Sequence, residues 1–377
     1  MTITSHSPDT SSHAWRPGDD PGDRRFLDIG PVELEAGGRL PAVTLAYETW
    51  GTLSADRDNA VLVEHALTGD SHVVGPATPA HPTPGWWDGL IGDGAPLDPA
   101  RDFVVAINVL GGCQGTTGPS SAAPDGAPWG GRFPFVTIRD QVAAEARLAD
   151  ALGISRWRAV LGGSMGGMRT MEWVASHPDR VESAVVLAST ARATAEQIAW
   201  TQVQVQAIRD DPHFRGGDYY DQVRGPEAGL ANARRIAHVT YRSELELHHR
   251  FDRRPQGTAD PLGGGGRFAV ESYLDHHGAK LARRFDANSY VVLAEAMNSH
   301  DIGRGRGGVA AALAPFRGRL VVAPVDSDRL YPPRLSEEIV SEAPAGARLR
   351  TISSMVGHDG FLTERDQVGV ILRDALS

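Results

Sequence analysis

The 377-residue sequence predicts an α/β protein, a mostly parallel sheet with helices on both faces and a helical segment inserted into it. Three observations predict it. Short apolar, β-branched runs alternate with helix-period stretches in both the first half and the last 70 residues, the pattern of a sheet covered on both sides. Gly162-Gly163-Ser164-Met165-Gly166 fits G-x-S-x-G, with an apolar strand before it and a helix-like stretch after it. From about 191 to 308 the alternation stops, and only helix-like segments remain.

In chain order, 44–49, 61–64 and 103–108 read as strands, the last apolar throughout, as a buried parallel strand should be. Residues 138–152 place Ile138, Val142, Ala146, Leu148, Ala149 and Leu152 at helical spacing, and Gly153 closes the helix. The serine strand follows, with a helix running to His177-Pro178. Next come a strand at 181–187 and, after the interruption, a strand at 320–324, a helix at 335–343, a strand at 349–352 and a helix at 367–376. Inside the interruption, 195–210, 229–241 and 267–277 read as helices. The domain reading is a loose polar tail over 1–25, a core over 26–190 plus 309–377, and a helical lid over 191–308.

Composition narrows the function. The net charge of −10 disfavours broad attraction to nucleic acid or anionic membrane. Lys280 is the only lysine, which excludes a Walker-type phosphate loop and leaves one residue for Schiff-base chemistry. Cys113 is the only cysteine, so no internal disulfide forms, which suits a reducing cytoplasm. No apolar run reaches membrane-spanning length, and the N-terminus lacks the apolar core of a signal peptide. Gly303-Arg304-Gly305-Arg306-Gly307-Gly308 matches G-x-G-x-x-G but follows no strand. His248-His249 and His276-His277 are adjacent pairs without metal-ligand spacing, so no metal is expected.

A serine on a sharp strand-to-helix turn is a nucleophile in waiting, but it needs a base and the base needs a carboxylate. In a hydrolase-type α/β sheet these follow in the order Ser, Asp or Glu, His. The strand at 320–324 runs into Val325-Asp326-Ser327-Asp328, and the next strand runs into Gly357-His358-Asp359. Both loops open on the carboxyl edge with Ser164, which makes His358 the base and leaves Asp326 and Asp328 as alternatives from spacing alone. The loop His65-Ala66-Leu67-Thr68-Gly69 and the residue after the nucleophile, Met165, offer backbone N–H groups for an oxyanion hole. The glycine-rich loop 111–118 allows close ligand approach.

With these residues assembled, the chain resembles the homoserine O-acyltransferases of the α/β-hydrolase superfamily, most of all their actinobacterial, acetyl-transferring members. The segments that carry the likeness are His65-Ala66-Leu67-Thr68-Gly69-Asp70-Ser71-His72, Pro84-Gly85-Trp86-Trp87-Asp88, Asn108 to Cys113, Gly118-Pro119-Ser120-Ser121, Gly162 to Gly167, Asn298-Ser299-His300-Asp301, Ser327 to Pro332 and Gly357 to Phe361. The resemblance implies an α/β-hydrolase fold, Asp328 as the triad carboxylate, and Leu67 and Met165 as the oxyanion donors. It implies Arg234 on the homoserine carboxylate, Asp359 on its amino group and Tyr241 near its hydroxyl. It implies acetyl-CoA as co-substrate with no permanent cofactor, L-homoserine as acceptor, and a homodimer joined through the lid helices. Arg132 and Arg139 are further expected near the CoA phosphates. A succinyl donor, a serine acceptor or simple ester hydrolysis on the same triad are the alternatives.

Overall fold

The structure is a computed structural model and describes residues 12–377. The chain forms β1 (Arg25–Asp28), a small hairpin of β2 (Val32–Glu33) and β3 (Arg39–Leu40), β4 (Thr44–Trp50), β5 (Ala60–Glu64), β6 (Phe103–Ile107), α1 (Ile138–Leu152), β7 (Ala159–Gly163), α2 (Met165–Ser176) and β8 (Ser183–Leu187). Five helices follow without a strand: α3 (Ala195–Arg209), α4 (Glu227–Tyr241), α5 (Glu244–Phe251), α6 (Ala269–Ala282) and α7 (Ala287–Asn298). The chain then returns through α8 (Val309–Leu313), β9 (Arg319–Ala323), α9 (Pro333–Glu342), β10 (Arg348–Leu349), α10 (Gly360–Thr363) and α11 (Arg365–Leu376).

Eight strands make one sheet in the order β1-β4-β6-β5-β7-β8-β9-β10. β4 pairs antiparallel with both β1 and β6, and every pairing from β6 to β10 is parallel. β5, β6, β7 and β8 are buried along their whole length, which is why they read as continuous apolar runs rather than alternating ones. One face packs on α1, α2, α8 and α9 through Val142, Trp173, Leu313 and Ile339. The other packs on α11 and the segment after β5 through Val368, Leu372, Trp87 and Leu90. β7 lies between β5 and β8, so its carboxyl end opens at the middle of the sheet's upper edge, where α/β sheets place their sites.

α1 matches the expected range, with Thr137 and Asp140 forming a reciprocal capping box and Gly153 in the left-handed conformation at its end. Other elements differ. β10 is two residues long, because after Leu349 pairing is interrupted and resumes only at the Val325–Ile352 bridge. α7 was not expected as a helix. It is buried on nearly every side, so it carries no amphipathic period to read.

The loose tail needs correction over its described part. Ser12 Oγ donates to Asp286 Oδ1 at 2.7 Å, Trp15 N donates to the Cys113 carbonyl at 2.9 Å, and Trp15 stacks on Phe26 at 4.8 Å. Arg24 is buried and donates to Gln114 Oε1 at 2.9 Å, and Arg25 opens β1. Ser12 and Arg24 are spent on particular partners, above all the buried Asp286 at the start of α7, while residues 16–23 stay exposed. Residues 1–11 lie outside the described part.

α3, α4, α6 and α7 pack on one another, and their apolar cluster is continuous with the floor of the sheet edge. Val205, Ile208, Leu230, Phe285 and Leu293 share it with Leu67, Val109, Met165 and Met168. The inserted helices therefore sit directly over the serine turn.

Candidate active site

Ser164 sits between β7 and α2 at φ 57°, ψ −122°, a conformation that costs a non-glycine residue about 1–3 kcal/mol. The turn is held from both sides: Ser164 N donates to the Leu187 carbonyl at 2.9 Å, and Ser189 Oγ donates to the Ser164 carbonyl at 2.7 Å. The glycines are steric necessities. A Cβ at Gly166 would lie 2.1 Å from the Glu64 carbonyl oxygen, and one at Gly162 would lie 2.5 Å from the Gly166 carbonyl carbon.

The structure brings the three separated side chains together. Ser164 Oγ lies 2.9 Å from His358 Nε2, and His358 Nδ1 lies 2.7 Å from Asp328 Oδ2. All three are buried. Asp328 Oδ1 also accepts the amides of Leu330 and Tyr331 at 2.8 and 2.9 Å, which fixes the carboxylate in place. An ionised carboxylate at Nδ1 sets the tautomer: Nδ1–H donates to Asp328 and Nε2 accepts the serine hydroxyl. Burial disfavours a charged imidazole, but the Asp328 charge and hydrogen bond outweigh it, and His358 is held above its ordinary value. Tyr331 stacks on the ring at 5.0 Å and Phe361 meets it edge-on at 5.5 Å.

The choice between Asp326 and Asp328 has a structural reason. Asp326 accepts from Ser353 Oγ at 2.8 Å and Ser354 N at 3.0 Å, so it ties the carboxylate loop to the histidine loop. The two aspartates split the work, one aligning the loops and the other meeting the ring.

Met165 begins α2, so its N–H has no partner within the helix. Leu67 is buried in the loop after β5. The two are coupled through Arg169 on α2, which donates to the His65 carbonyl at 2.9 Å and pairs with Glu64 at 2.7 Å and Glu145 at 2.8 Å. Trp173 Nε1 donates to the second Glu145 oxygen at 2.9 Å. Burial and Arg169 push the His65 imidazole down to about 3, so the ring is neutral and its Nε2 accepts Val109 N–H at 3.1 Å. Arg169 and Glu64 are wholly buried, and burial holds Glu64 well above the usual carboxylate range even beside Arg169, so removing the guanidinium leaves Glu64 and Glu145 without their buried cation. Arg169→Met is expected to destabilise the fold by about 3–5 kcal/mol, read by urea denaturation. A loss under about 1 kcal/mol would mean the carboxylates find other partners.

α4 supplies the expected substrate residues. Arg234 and Tyr241, seven residues apart, share a helix face. Arg234 Nη1 lies 3.4 Å from Thr68 Oγ1, its guanidinium lies 5.3 Å from the centre of the Tyr241 ring, and that ring is 5.5 Å from His358. Arg235 turns away and pairs with Asp275 at 2.7 Å. Asp359 pairs with Arg242 at 3.1 Å. Arg242, Tyr331, Arg169 and Arg284 (whose Nη1 donates to the Thr68 carbonyl at 2.9 Å) are site residues that sequence reasoning did not single out. Only Tyr331 had a signal, since it lies within the Ser327 to Pro332 segment. Arg132 and Arg139, expected near the CoA phosphates, are paired with Asp125 at 2.6 Å and Glu35 at 2.8 Å.

One group of metal-ligating type exists among the described residues. Glu48, His72 and His81 are buried, with ligand atoms within 4.8 Å of one another. The two imidazoles stack at 4.0 Å with planes 11° apart, so no single ion can lie in both ring planes. The Glu48 carboxylate, 3.6 Å from His72 Nδ1, instead holds His72 above its ordinary value, as an imidazolium paired with a carboxylate would be. Burial pushes the Cys113 thiol well up, which removes it as a nucleophile. Among the described residues no helix is long and apolar enough to cross a membrane.

Comparison with known proteins agrees with this geometry. A family model described as the alpha/beta hydrolase fold matches residues 59–364. The homoserine O-acetyltransferase of Thermobifida fusca is 60% identical over 379 residues, covering 100% of both chains. Among solved structures, a homoserine O-acetyltransferase from Bacillus anthracis superposes with TM-score 0.87 at 27% identity, covering 94% of this chain and 97% of that one. An acetylester hydrolase from Corynebacterium glutamicum superposes with TM-score 0.79 at 29% identity, covering 94% and 96%.

Proposed function

The chain belongs to the α/β-hydrolase family, on its homoserine O-acetyltransferase branch, and from that premise we propose that it moves an acetyl group from acetyl-CoA to the hydroxyl of L-homoserine through an ester on Ser164. This is a step toward methionine. The observation that carries the reading is a nucleophile relay flanked by two fixed charges of opposite sign. Arg234 reaches His358 through Tyr241, and Asp359 follows His358 in the chain. An amino acid presents one charge of each sign, and this pair matches them.

The reaction divides into two displacements. His358 Nε2 takes the proton from Ser164 Oγ as that oxygen attacks the thioester carbonyl carbon. The amides of Leu67 and Met165 receive the oxyanion, each such donor being worth about 3–4 kcal/mol. The carbon–sulfur bond breaks and the imidazolium returns the proton to the CoA sulfur. Homoserine then binds with its carboxylate on Arg234 and its amino group on Asp359, which Arg242 keeps oriented. His358 takes the homoserine hydroxyl proton, the hydroxyl oxygen attacks the ester carbon, and Ser164 recovers its proton as its bond to carbon breaks. Tyr241 lines the hydroxyl's approach.

The fold alone does not separate transfer from hydrolysis, as the acetylester hydrolase neighbour illustrates. Water at about 55 M loses only if homoserine is held in place with a large effective molarity. The inserted helices over 191–308 act here as the lid that narrows access and carries Arg234, one half of the clamp. The deciding experiment is incubation with acetyl-CoA, with the acylated residue identified by mass with and without homoserine. An acetyl group on Ser164 that homoserine discharges much faster than water supports transfer; discharge indifferent to homoserine makes the enzyme an esterase. Succinyl-CoA and L-serine in the same assay test the neighbouring specificities. Arg234→Ala is expected to slow discharge to homoserine roughly 10- to 100-fold while leaving acylation nearly intact, the cost of a hydrogen-bonded charge. Equal loss in both halves would remove Arg234 from the clamp.

No bound cofactor takes part in this chemistry. A homodimer through the lid is supported by Trp200 and Val203, three residues apart and both exposed on α3, and sedimentation tests it. A cytoplasmic location fits a biosynthetic enzyme whose single cysteine is a free thiol.

A further inference from the structure

A cavity of about 1210 Å³ lies between the N-terminal segment, α4, the end of α6 and the loops after β5 and β6. Its volume suits a ligand larger than an amino acid. Four arginines line it: Arg16, Arg224, Arg283 and Arg284. Four acids line it as well, yet each is occupied by a backbone amide. Asp19 accepts from Arg16 N, Asp20 from Gly22 N, Asp211 from Gly229 N and Glu227 from Gly225 N. Among the described residues none of the four arginines forms an ion pair. Arg16 and Arg284 donate only to backbone carbonyls, of Tyr220 and Thr68. This contrasts with Arg235 and Arg132, whose charges are met by Asp275 and Asp125.

The inner end of the cleft lies beside the expected oxyanion loop. Arg284 lines it and at the same time hydrogen-bonds the carbonyl of Thr68, the neighbour of Leu67. Burial, with the like charge of Arg234 adding to it, holds the Arg284 guanidinium below its ordinary value. Arg284 and Arg234 both reach Thr68, so two cations meet at the inner end of the cleft, and the buried Asp70 offsets part of the Arg284 charge.

We infer that this cleft receives the phosphate-bearing nucleotide end of acetyl-CoA, with Arg224 and Arg283 on its phosphates, Arg16 at the rim, and Arg284 marking the passage along which the thioester arm reaches Ser164. The inference rests on acetyl-CoA being the donor, as proposed above. It replaces Arg132 and Arg139 in that role. Guanidinium groups with open donors are the side chains best suited to phosphate oxygens.

The test compares two thioesters carrying the same acetyl group. Acetyl-CoA has the phosphates; S-acetyl-N-acetylcysteamine keeps the reacting end and lacks them. In the Arg224→Ala/Arg283→Ala double variant the ratio of kcat/KM for acetyl-CoA to that for the short thioester is expected to fall roughly tenfold or more, since hydrogen bonds to charged groups are lost. Arg283→Lys should recover part of the loss, and salt should shrink the difference between wild type and variant. Both residues are exposed, so the fold should tolerate the changes. A ratio that does not move, or equal losses on both thioesters, overturns the assignment while leaving acetyl transfer standing. Failure of the unmodified enzyme to acylate from either thioester removes the acetyl-CoA reading and this inference with it.

Discussion

Ser164→Ala is expected to lower kcat between about 10⁴- and 10⁶-fold and to abolish acetyl labelling of the chain, because oxyanion donors and binding alone leave only residual catalysis. No other group near the relay can replace it. The Cys113 thiol is buried and held protonated, and the Ser189 hydroxyl is committed to the Ser164 carbonyl at 2.7 Å. Alanine keeps a Cβ at φ 57°, so the turn's strain is unchanged and thermal stability should stay near that of the wild type. Ser164→Gly is a useful companion. It abolishes activity as fully, but it relieves a conformation costing about 1–3 kcal/mol and should raise stability by part of that. Single-turnover labelling with acetyl-CoA and thermal unfolding of both variants are the measurements. Burst release of CoA from the alanine variant would place the acyl group elsewhere and end the double-displacement account.

The strain also explains why the serine was legible in the sequence. A turn this tight admits only small residues around it, and Gly162 and Gly166 mark it by what they exclude. The long buried strands were legible because parallel strands need apolar residues on both faces. His358 was found because topology fixes where a base can stand. Asp328 was not separable by spacing from Asp326, since both follow β9 and both are used; the 2.7 Å contact of Asp328 with His358 Nδ1 and the cross-loop bonds of Asp326 to Ser353 and Ser354 tell them apart. Arg242 was illegible for a similar reason. Its role is a contact with Asp359, 117 positions away in the chain, and nothing local distinguishes it from its arginine neighbours. The described part of the N-terminal segment was misread because composition registers polarity but not the buried Asp286 waiting for Ser12. The pairing of Arg132 and Arg139 was illegible because a sequence shows charges and not that Asp125 and Glu35 meet them.

Asp328→Asn is expected to lower kcat by about 10⁴-fold while leaving the fold intact, and to move the pH dependence in a direction the geometry fixes. His358 works as a base only when neutral, so activity falls as the ring gains a proton. In the wild type burial lowers its proton affinity, but Asp328 more than reverses this, and the net effect is upward from 6.5. The acid limb of kcat/KM should therefore lie above pH 6.5. An asparagine removes both contributions of the carboxylate and leaves the burial, so the limb should move to lower pH even as the plateau falls. The plateau falls because an amide no longer enforces Nδ1–H; the tautomer with its proton on Nε2 cannot accept from Ser164 across the 2.9 Å contact. Stability carries the same sign. A histidine whose folded value is raised contributes stability that is full below pH 6.5 and disappears as pH rises through the raised value, so the wild type should gain stability on acidification across that interval. The variant should lose that gain. Paired pH profiles of kcat/KM and of denaturation midpoints read both effects. If Asp328→Asn leaves the acid limb where it was, another group controls His358, and the 2.7 Å contact between them does not set the base.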